Sequence, residues 1–398
     1  MIDFKIQFEP AVSALFETST QDAVQVLLEF LYHDSTKHDL VDKERVNLLA
    51  AAEWSYRNAQ WEAVVDYSRY LKDYFSIRGF WQDSERCLTR GLEASRKLQN
   101  QPREAQMEHE LGRVFANQGD YTRAREHYHN ALVLADALKD QPKLASVLHQ
   151  IGVIEMYQAN YEEAWSFFQR SMGLSQDNKD RSGFASTLHC LGMVQTARGK
   201  YVEALNYYGQ SLKIWKELGH EYGQARTLHE MARVEITRGN YAQASDYLQT
   251  SLALKEKTGD RQGYIASLHE LGRILSKQGN LVGARDYYQK GFELSLQIGD
   301  PQVIETALHQ LGLICIDLGE FENAHNYLDD SLRRATDVGH RREIAITKGV
   351  LGRLAKAEGN LPKAIRLWSE SATELEAIGA PQAKLVRTWL MEVEQLKK

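Results

Sequence analysis

The side chains with the clearest capacity for chemistry are six histidines set forty residues apart: His109, His149, His189, His229, His269 and His309. Imidazoles in series can ligate a metal, relay protons or act as acid and base. Metal ligation fails on spacing. Equivalent atoms on neighbouring structural units stand at least ~8–10 Å apart, whereas one zinc ion holds its ligands within about 2.1 Å of itself. A contact between helices, hydrogen bonded to the next unit, and a contact to a ligand both remain open, beside a pH switch. The next position in the series is Gly349. Cys190 follows His189, but adjacent helical residues point about 100° apart. Its place is taken elsewhere by Glu110, Gln150, Glu230 and Glu270, so nothing singles it out. No GxSxG, HExxH or glycine-rich phosphate loop is present. The nearest fragment, GMVQTARGKY at 192–201, has the wrong spacing and places Tyr201 where Ser or Thr is needed. The expectation is a non-enzymatic chain without a cofactor or metal.

These histidines belong to a pattern that specifies the elements around them. Written in lines of forty, the sequence aligns with itself without a gap. Leu111-Gly112 recurs as Ile151-Gly152, Leu191-Gly192, Met231-Ala232, Leu271-Gly272, Leu311-Gly312 and Leu351-Gly352. Alanine recurs from Ala124 to Ala364, with Tyr121, Tyr161, Tyr201, Tyr241, Leu281, Phe321 and Leu361 three residues before it. Each line reads as two helices. Gly119, Gly199, Gly239, Gly279, Gly319 and Gly359 stop the first, Ala159 being the exception. Gly219, Gly259, Gly299, Gly339 and Gly379 stop the second, with Lys139 and Lys179 departing. Glycine accepts the left-handed conformation that closes a helix. Pro102, Pro142, Pro301, Pro362 and Pro381 fall near helix starts, where the missing N–H costs nothing. The small residue at Gly112 and its equivalents lets the second helix approach, and Ala124 and its equivalents are expected to face it. Leu148, Leu188, Leu228, Leu268 and Leu308 share that buried face, each contributing on the order of 1.5–3 kcal/mol. One unit alone cannot bury such a face, so stacking is obligatory.

The Leu-Gly, Gly-x-Tyr, Ala and aromatic signature resembles the tetratricopeptide repeat, in a long forty-residue variant similar to those of polarity scaffolds and of bacterial signalling proteins. The resemblance covers about 62–398. It implies an all-α fold, a right-handed superhelical solenoid of stacked helix-turn-helix repeats whose first helices line the concave surface. Gly79, Trp81, Gly91 and Leu92 stand forty residues before Gly119, Tyr121, Ala131 and Leu132, so a divergent first unit begins near 62. The expected organisation is an N-terminal helical segment at 1–61, eight helix pairs over 62–380 and a capping helix at 381–398, charged at Glu392, Glu394, Lys397 and Lys398. Within 1–61 two helices are expected, capped at Ser19 or Thr20 and at Asp42. The stretch DKERVNLLAAAEWSYRNAQWEAVVDYSRYLKDYFSIRGFW resembles the junction before the sensor repeats of nucleotide-dependent bacterial signalling ATPases.

The concave positions that the resemblance implies are 106, 109, 113 and 117 with their forty-residue equivalents, one stripe along each helix. Besides the histidines they carry Arg113, Val153, Tyr157, Met193, Arg226, Arg233, Arg273, Lys277 and Arg353. This order suggests an apolar middle flanked by basic groups. It reads either as a groove for a segment with acidic groups and an apolar anchor, or as solvated arginines paired to glutamates on neighbouring helices. Tyr70, Tyr74, Phe75, Phe80 and Trp81 form a further cluster, either core at the N-terminal junction or an exposed docking patch.

The whole-chain figures fit this reading. With 398 residues the chain exceeds one compact core, and only six prolines leave long stretches free to be helical. A net charge of -6 argues against a general nucleic-acid binder. Cys87, Cys190 and Cys315 are far apart, which suits a reducing cytoplasm rather than a disulfide framework or zinc site. The start MIDFKIQFEP lacks the pattern of a secretory signal, and no apolar run reaches the ~18 residues of a membrane helix. The expected function is protein or peptide binding by a scaffold or sensor. The alternative is a peptide-responsive regulatory subunit or sensor component of a bacterial signalling system, acting through a separate effector. Self-association through the solenoid ends is a separate possibility.

Overall fold

The computed structural model of the chain describes residues 20–395. Every regular element among the described residues is an α-helix. The chain divides into two compact units, 1–200 and 201–398.

The first unit holds α1 (Thr20–Asp34), α2 (His38–Arg57), α3 (Trp61–Arg78), α4 (Trp81–Lys97), α5 (Gln101–Asn117), α6 (Tyr121–Ala137), α7 (Gln141–Tyr157), α8 (Tyr161–Asp177) and α9 (Arg181–Ala197). From α3 onward the connections are two or three residues long, which folds each helix back against its predecessor. Each connection is closed by one left-handed residue. Those of this unit recur every twenty residues, from Ala59 (φ 53°) through Gly79, Gln99, Gly119, Lys139, Ala159 and Lys179 to Gly199. At Gly119 the chain turns so that its N–H donates to the Ala116 carbonyl at 3.1 Å and Asp120 N–H to Phe115 at 2.9 Å, capturing carbonyls that the helix leaves free. The next residue then caps the following helix: Asp120 accepts from Arg123 N–H and Asp140 from Lys143 N–H.

The left-handed residue Ala59 extends the backbone punctuation to the N-terminal side of residue 62. The expected cap at Asp42 is not found. Lys37 precedes α2, and Asp42 lies inside that helix, where it accepts from the Tyr74 hydroxyl at 2.6 Å and pairs with Arg78 at 2.5 Å. An interior carboxylate with two strong partners has no need of the helix end. Ser19 lies outside the described residues. Tyr74 and Phe75 are buried with Val24, Leu27, Leu31 and Leu48, while Tyr70 and Phe80 pack at the edge of the same core. The aromatic cluster is therefore largely core at the N-terminal junction.

The second unit continues with α10 (Tyr201–Glu217), α11 (Glu221–Arg238), α12 (Tyr241–Thr258), α13 (Arg261–Lys277), α14 (Leu281–Ile298), α15 (Pro301–Leu318), α16 (Phe321–Asp337), α17 (Arg341–Ala357), α18 (Leu361–Ala377) and α19 (Ala383–Gln395). Here every connection from Gly219 to Gly379 is closed by a left-handed glycine. Val386, Leu390 and Val393 of α19 are buried against α18. On the other side of α19, Glu392 is exposed, within 3.8 Å of Lys356. The side chains of Glu394, Lys397 and Lys398 lie outside those described.

The close approach of paired helices has a partner other than the expected alanine. A Cβ added at Gly112 would meet the Tyr128 ring at 2.7 Å, and the same overlap links Gly152 to Phe168, Gly272 to Tyr288, Gly312 to Leu328 and Gly352 to Trp368. The small residue makes room for the large side chain one turn beyond Ala124 and its equivalents. The alanines are themselves buried. Leu148, Leu188, Leu228, Leu268 and Leu308 are buried as well.

Candidate functional site

Three of the six histidines pack against the same aromatic side chains. His109 lies 5.6 Å from the Tyr128 ring, His149 5.4 Å from Phe168 and His269 6.0 Å from Tyr288. Several also reach the next unit: His149 Nδ1 is 3.1 Å from Thr187 Oγ1, His229 Nδ1 is 3.1 Å from Ser267 Oγ, and His109 Nε2 is 3.4 Å from Ser146 Oγ. Burial disfavours the imidazolium. It pushes His109, His269 and His309 down to about 4 and His229 to about 3, the last helped by the charges of Lys255, Arg233 and Arg273. His189 is buried. The ladder stops at Gly349, whose carbonyl accepts from the Trp368 indole Nε1 at 2.9 Å. A Cβ at Gly349 would already stand 3.1 Å from Ser371 Oγ and 3.4 Å from Val386. Among the described residues no group of three or more His, Cys, Asp or Glu is placed to hold a metal ion. Cys190 Sγ approaches His149 Nε2 at 3.9 Å, a pairing across two units rather than with the adjacent His189.

The remaining stripe residues lie on first helices, and most of the arginines are already engaged. In the first unit Arg113 pairs with Asp73 at 3.2 Å and Glu110 at 3.0 Å, while Lys72 reaches Glu110 at 3.2 Å. These contacts tie α3 to α5 along one face. In the second unit Arg233 pairs with Glu230 at 3.0 Å, Arg273 with Glu270 at 2.5 Å and Arg353 with Asp317 at 3.2 Å. Arg226 is exposed, its guanidinium 5.7 Å from the Tyr222 ring. Lys277 is exposed with no ion pair among the described residues. On α7, Val153 is half-buried and Tyr157 is 64% exposed, stacked on Tyr121 at 6.0 Å. Met193 on α9 is half-buried.

The carboxylates that pair with these arginines were not singled out as site residues from the sequence. The signal was there, since Glu110, Glu230 and Glu270 each stand three residues before Arg113, Arg233 and Arg273, the spacing of neighbours on a helix. The cross-unit partners Asp73, Lys72 and Asp317 carry no such local mark.

Helix pairs in a forty-residue register, most of them closed by a large side chain set on a glycine, define a helical repeat protein. Models of the tetratricopeptide repeat match residues 103–177, 183–257, 224–297 and 305–337. The chain belongs to the tetratricopeptide repeat family. A search of the curated proteins finds no match. Among solved structures, the chain resembles a signal transduction ATPase with numerous domains, carrying a tetratricopeptide repeat sensor, from Pyrococcus horikoshii. That similarity has 15% identity and a TM-score of 0.64 over 94% of this chain and 55% of the other, so the chain spans about half of that protein. It also resembles the apo form of the quorum sensor NprR from B. thuringiensis, with 16% identity and a TM-score of 0.60 over 90% and 100% of the two chains. A Rap protein complexed with competence and sporulation factor shares 14% identity, with a TM-score of 0.54 over 84% and 98%. At these identities the likeness is one of fold. No helix among the described residues is long and apolar enough to cross a membrane.

Proposed function

We propose that the chain is a regulatory binding protein that takes a peptide or an extended protein segment along the face formed by its first helices. The observation that carries this reading is the uncharged stretch on α7 and α9. There Val153, Tyr157 and Met193 present apolar surface, and the exposed ring of Tyr157 offers an anchor. Aromatic anchors of this kind dominate binding energy at protein interfaces. On the first unit the segment places an apolar residue against that stretch; on the second unit, taken by itself, Arg226 and Lys277 are the basic groups not spent on internal ion pairs and are open to carboxylates. Arg113, Arg233, Arg273 and Arg353 contribute less, because a ligand carboxylate must displace an existing partner. The histidines act chiefly as packing that holds the face in place. Folds like that of NprR and the Rap protein, the latter complexed with competence and sporulation factor, support a sensor role for this architecture. The chain then acts through a separate effector, as sensor rather than catalyst.

The test is selection of a random peptide library against the whole chain, with Tyr157→Ala and an Arg226→Glu/Lys277→Glu double variant as counter-screens. Peptides enriched on the first unit are expected to carry a large apolar residue and to bind Tyr157→Ala at least tenfold more weakly, and peptides enriched on the second unit to carry acidic residues and to bind the Arg226→Glu/Lys277→Glu variant at least tenfold more weakly. Enriched peptides with neither feature, or that bind both variants as tightly as wild type, refute the assignment of the face.

A further inference from the structure

The second unit contains a lysine where its equivalents are uncharged. Lys255 stands near the end of α12 at a position held elsewhere by Ser95, Ala135, Ser175, Trp215, Ser295, Ala335 and Leu375. Only 3% of its surface is exposed. Its Nζ donates to the Gly263 carbonyl at 3.0 Å and to Ser267 Oγ at 2.9 Å. Both acceptors are neutral, and no carboxylate among the described residues pairs with it. Ser267 Oγ in turn is 3.1 Å from His229 Nδ1, so the ring behind the serine brings no negative charge either. A buried ammonium hydrogen bonded only to neutral acceptors is costly, and the Asp260 and Glu230 charges that favour it make no ion pair with it among the described residues. Packing does not require the charge, because serine, alanine, tryptophan or leucine stands at the same place in the other units.

Lys255 lines a cleft of about 470 Å³ between α12, α13 and α14. Arg261 and Lys290 add positive charge to it, while Tyr264, Leu294 and Ile298 give it an apolar wall. The Lys290 ammonium lies 5.8 Å from the Tyr264 ring. Two carboxylates also line the cleft, Glu256 and Asp260. Asp260 is committed to its helix cap, accepting from Gly263 N–H at 2.9 Å. Three cations thus face one carboxylate that has no hydrogen bond among the described residues, Glu256, and one that is engaged.

We propose that this cleft binds a small organic anion, a carboxylate on an apolar body, whose charge pairs with Lys255 and whose body rests on Tyr264, Leu294 and Ile298. The site is separate from the first-helix face, and its ligand differs in class from a peptide. It adds a small-molecule input to the second unit, because the anion stabilises the junction of α12 with α13 through the Lys255–Gly263–Ser267 contacts. Burial holds the Lys255 ammonium down to about 8, with the Asp260 and Glu230 charges opposing and the Arg226 charge assisting. An anion beside Nζ restores the ammonium, so binding at mildly alkaline pH takes up a proton.

The experiment is titration calorimetry on the whole chain with benzoate, benzamide and inorganic phosphate, at about pH 8 in two buffers of different ionisation enthalpy. Benzoate is expected to bind saturably with net proton uptake. Benzamide, which lacks the charge, and phosphate, which lacks the apolar body, are expected to bind at least tenfold more weakly. Lys255→Met is expected to abolish the proton uptake and weaken benzoate at least tenfold. Lys290→Gln, at the cleft wall, is expected to weaken it by a smaller factor while keeping the uptake, and it serves as the test if Lys255→Met unfolds. Equal binding of benzamide or phosphate, absence of saturable benzoate binding, or proton uptake that survives in Lys255→Met overturns the assignment.

Discussion

Mild acid should unfold this chain through its histidines before its carboxylates are protonated. His109, His269 and His309 are held down to about 4 and His229 to about 3 by burial, against an ordinary value of 6.5. A group depressed in the folded state binds more protons when unfolded. Its stabilisation is complete above about pH 6.5 and is lost as the pH falls toward the folded value. At pH 5 a histidine moved from 6.5 to about 4 loses roughly 2 kcal/mol. Four of them lose at most about 8 kcal/mol, which matches the whole stability of many domains, ~5–15 kcal/mol. Carboxylates held low by neighbouring cations, such as Glu53 by Arg90, Asp73 by Lys72 and Arg113, and Asp330 by Arg334 and Arg333, act only at lower pH. The assay is urea unfolding followed by circular dichroism at pH 7.5, 6.0 and 5.0, for wild type and His269→Gln. The Nε2 atom of His269 has no hydrogen-bond partner among the described residues, so glutamine forfeits packing but no bond there. The variant should lose about 1 kcal/mol at pH 7.5, yet its further loss on going to pH 5 should be smaller than wild type's by roughly 2 kcal/mol. Parallel pH profiles for the two proteins, or a wild type equally stable at pH 7.5 and 5, would refute the reasoning.

Four further substitutions test the scaffold. Glu305 is 3% exposed at a position held by alanine or isoleucine in the other helix pairs from α5 to α17, and neither oxygen is hydrogen bonded, His340 Nδ1 lying 3.6 Å away. Burial raises its carboxyl above the ordinary value, so its best contribution lies below about pH 4.5 and is lost as pH rises through the raised value. Glu305→Ala should therefore stabilise the chain by about 1–3 kcal/mol at neutral pH and by less in acid, as thermal unfolding at two pH values will show. Gly272→Ala places a methyl 2.7 Å from the Tyr288 ring and should cost about 1–3 kcal/mol in urea unfolding. Lys139→Gly and Lys179→Gly, at left-handed φ of 55° and 58°, should each leave stability unchanged or raise it by up to about 1 kcal/mol, and a drop in melting temperature would contradict that.

The helix pairs were legible because glycine leaves a mark in the sequence wherever a connection turns left-handed. Gln99 and Ala59 leave no such mark. Only the forty-residue register from Lys139 back through Gln99 places them, and the chain pays strain there for want of glycine. Alanine recurs so regularly that it looked like the close contact at Gly112. The contact belongs instead to Tyr128, since a ring needs the removed Cβ and a methyl does not. Single arginines could be placed on a face from spacing alone. Their neutralisation across units, as in Arg113 with Asp73, depends on the angle between neighbouring first helices, which no local pattern encodes.

A repeat also changes what an unusual residue signifies. The six histidines look the most chemical, yet their recurrence follows the recurring packing of the helix pairs, with a ring partner at His109, His149 and His269, and the series ends at Gly349, where a Cβ would stand 3.1 Å from Ser371 Oγ. Lys255 and Glu305 occur once, in positions that the other units fill with small or uncharged side chains. Stability in such a chain is close to a sum of local terms, so one unit can carry a cost of a few kcal/mol without unfolding its neighbours. Packing has no use for an ammonium facing two neutral oxygens or for a carboxylate with none of its hydrogen bonds made. Lys255 opens on a cleft with an apolar wall and additional cations, whereas among the described residues Glu305 has only His340 within ion-pair range. The same local cost therefore points to a ligand at Lys255 and, at Glu305, to a position that alanine improves.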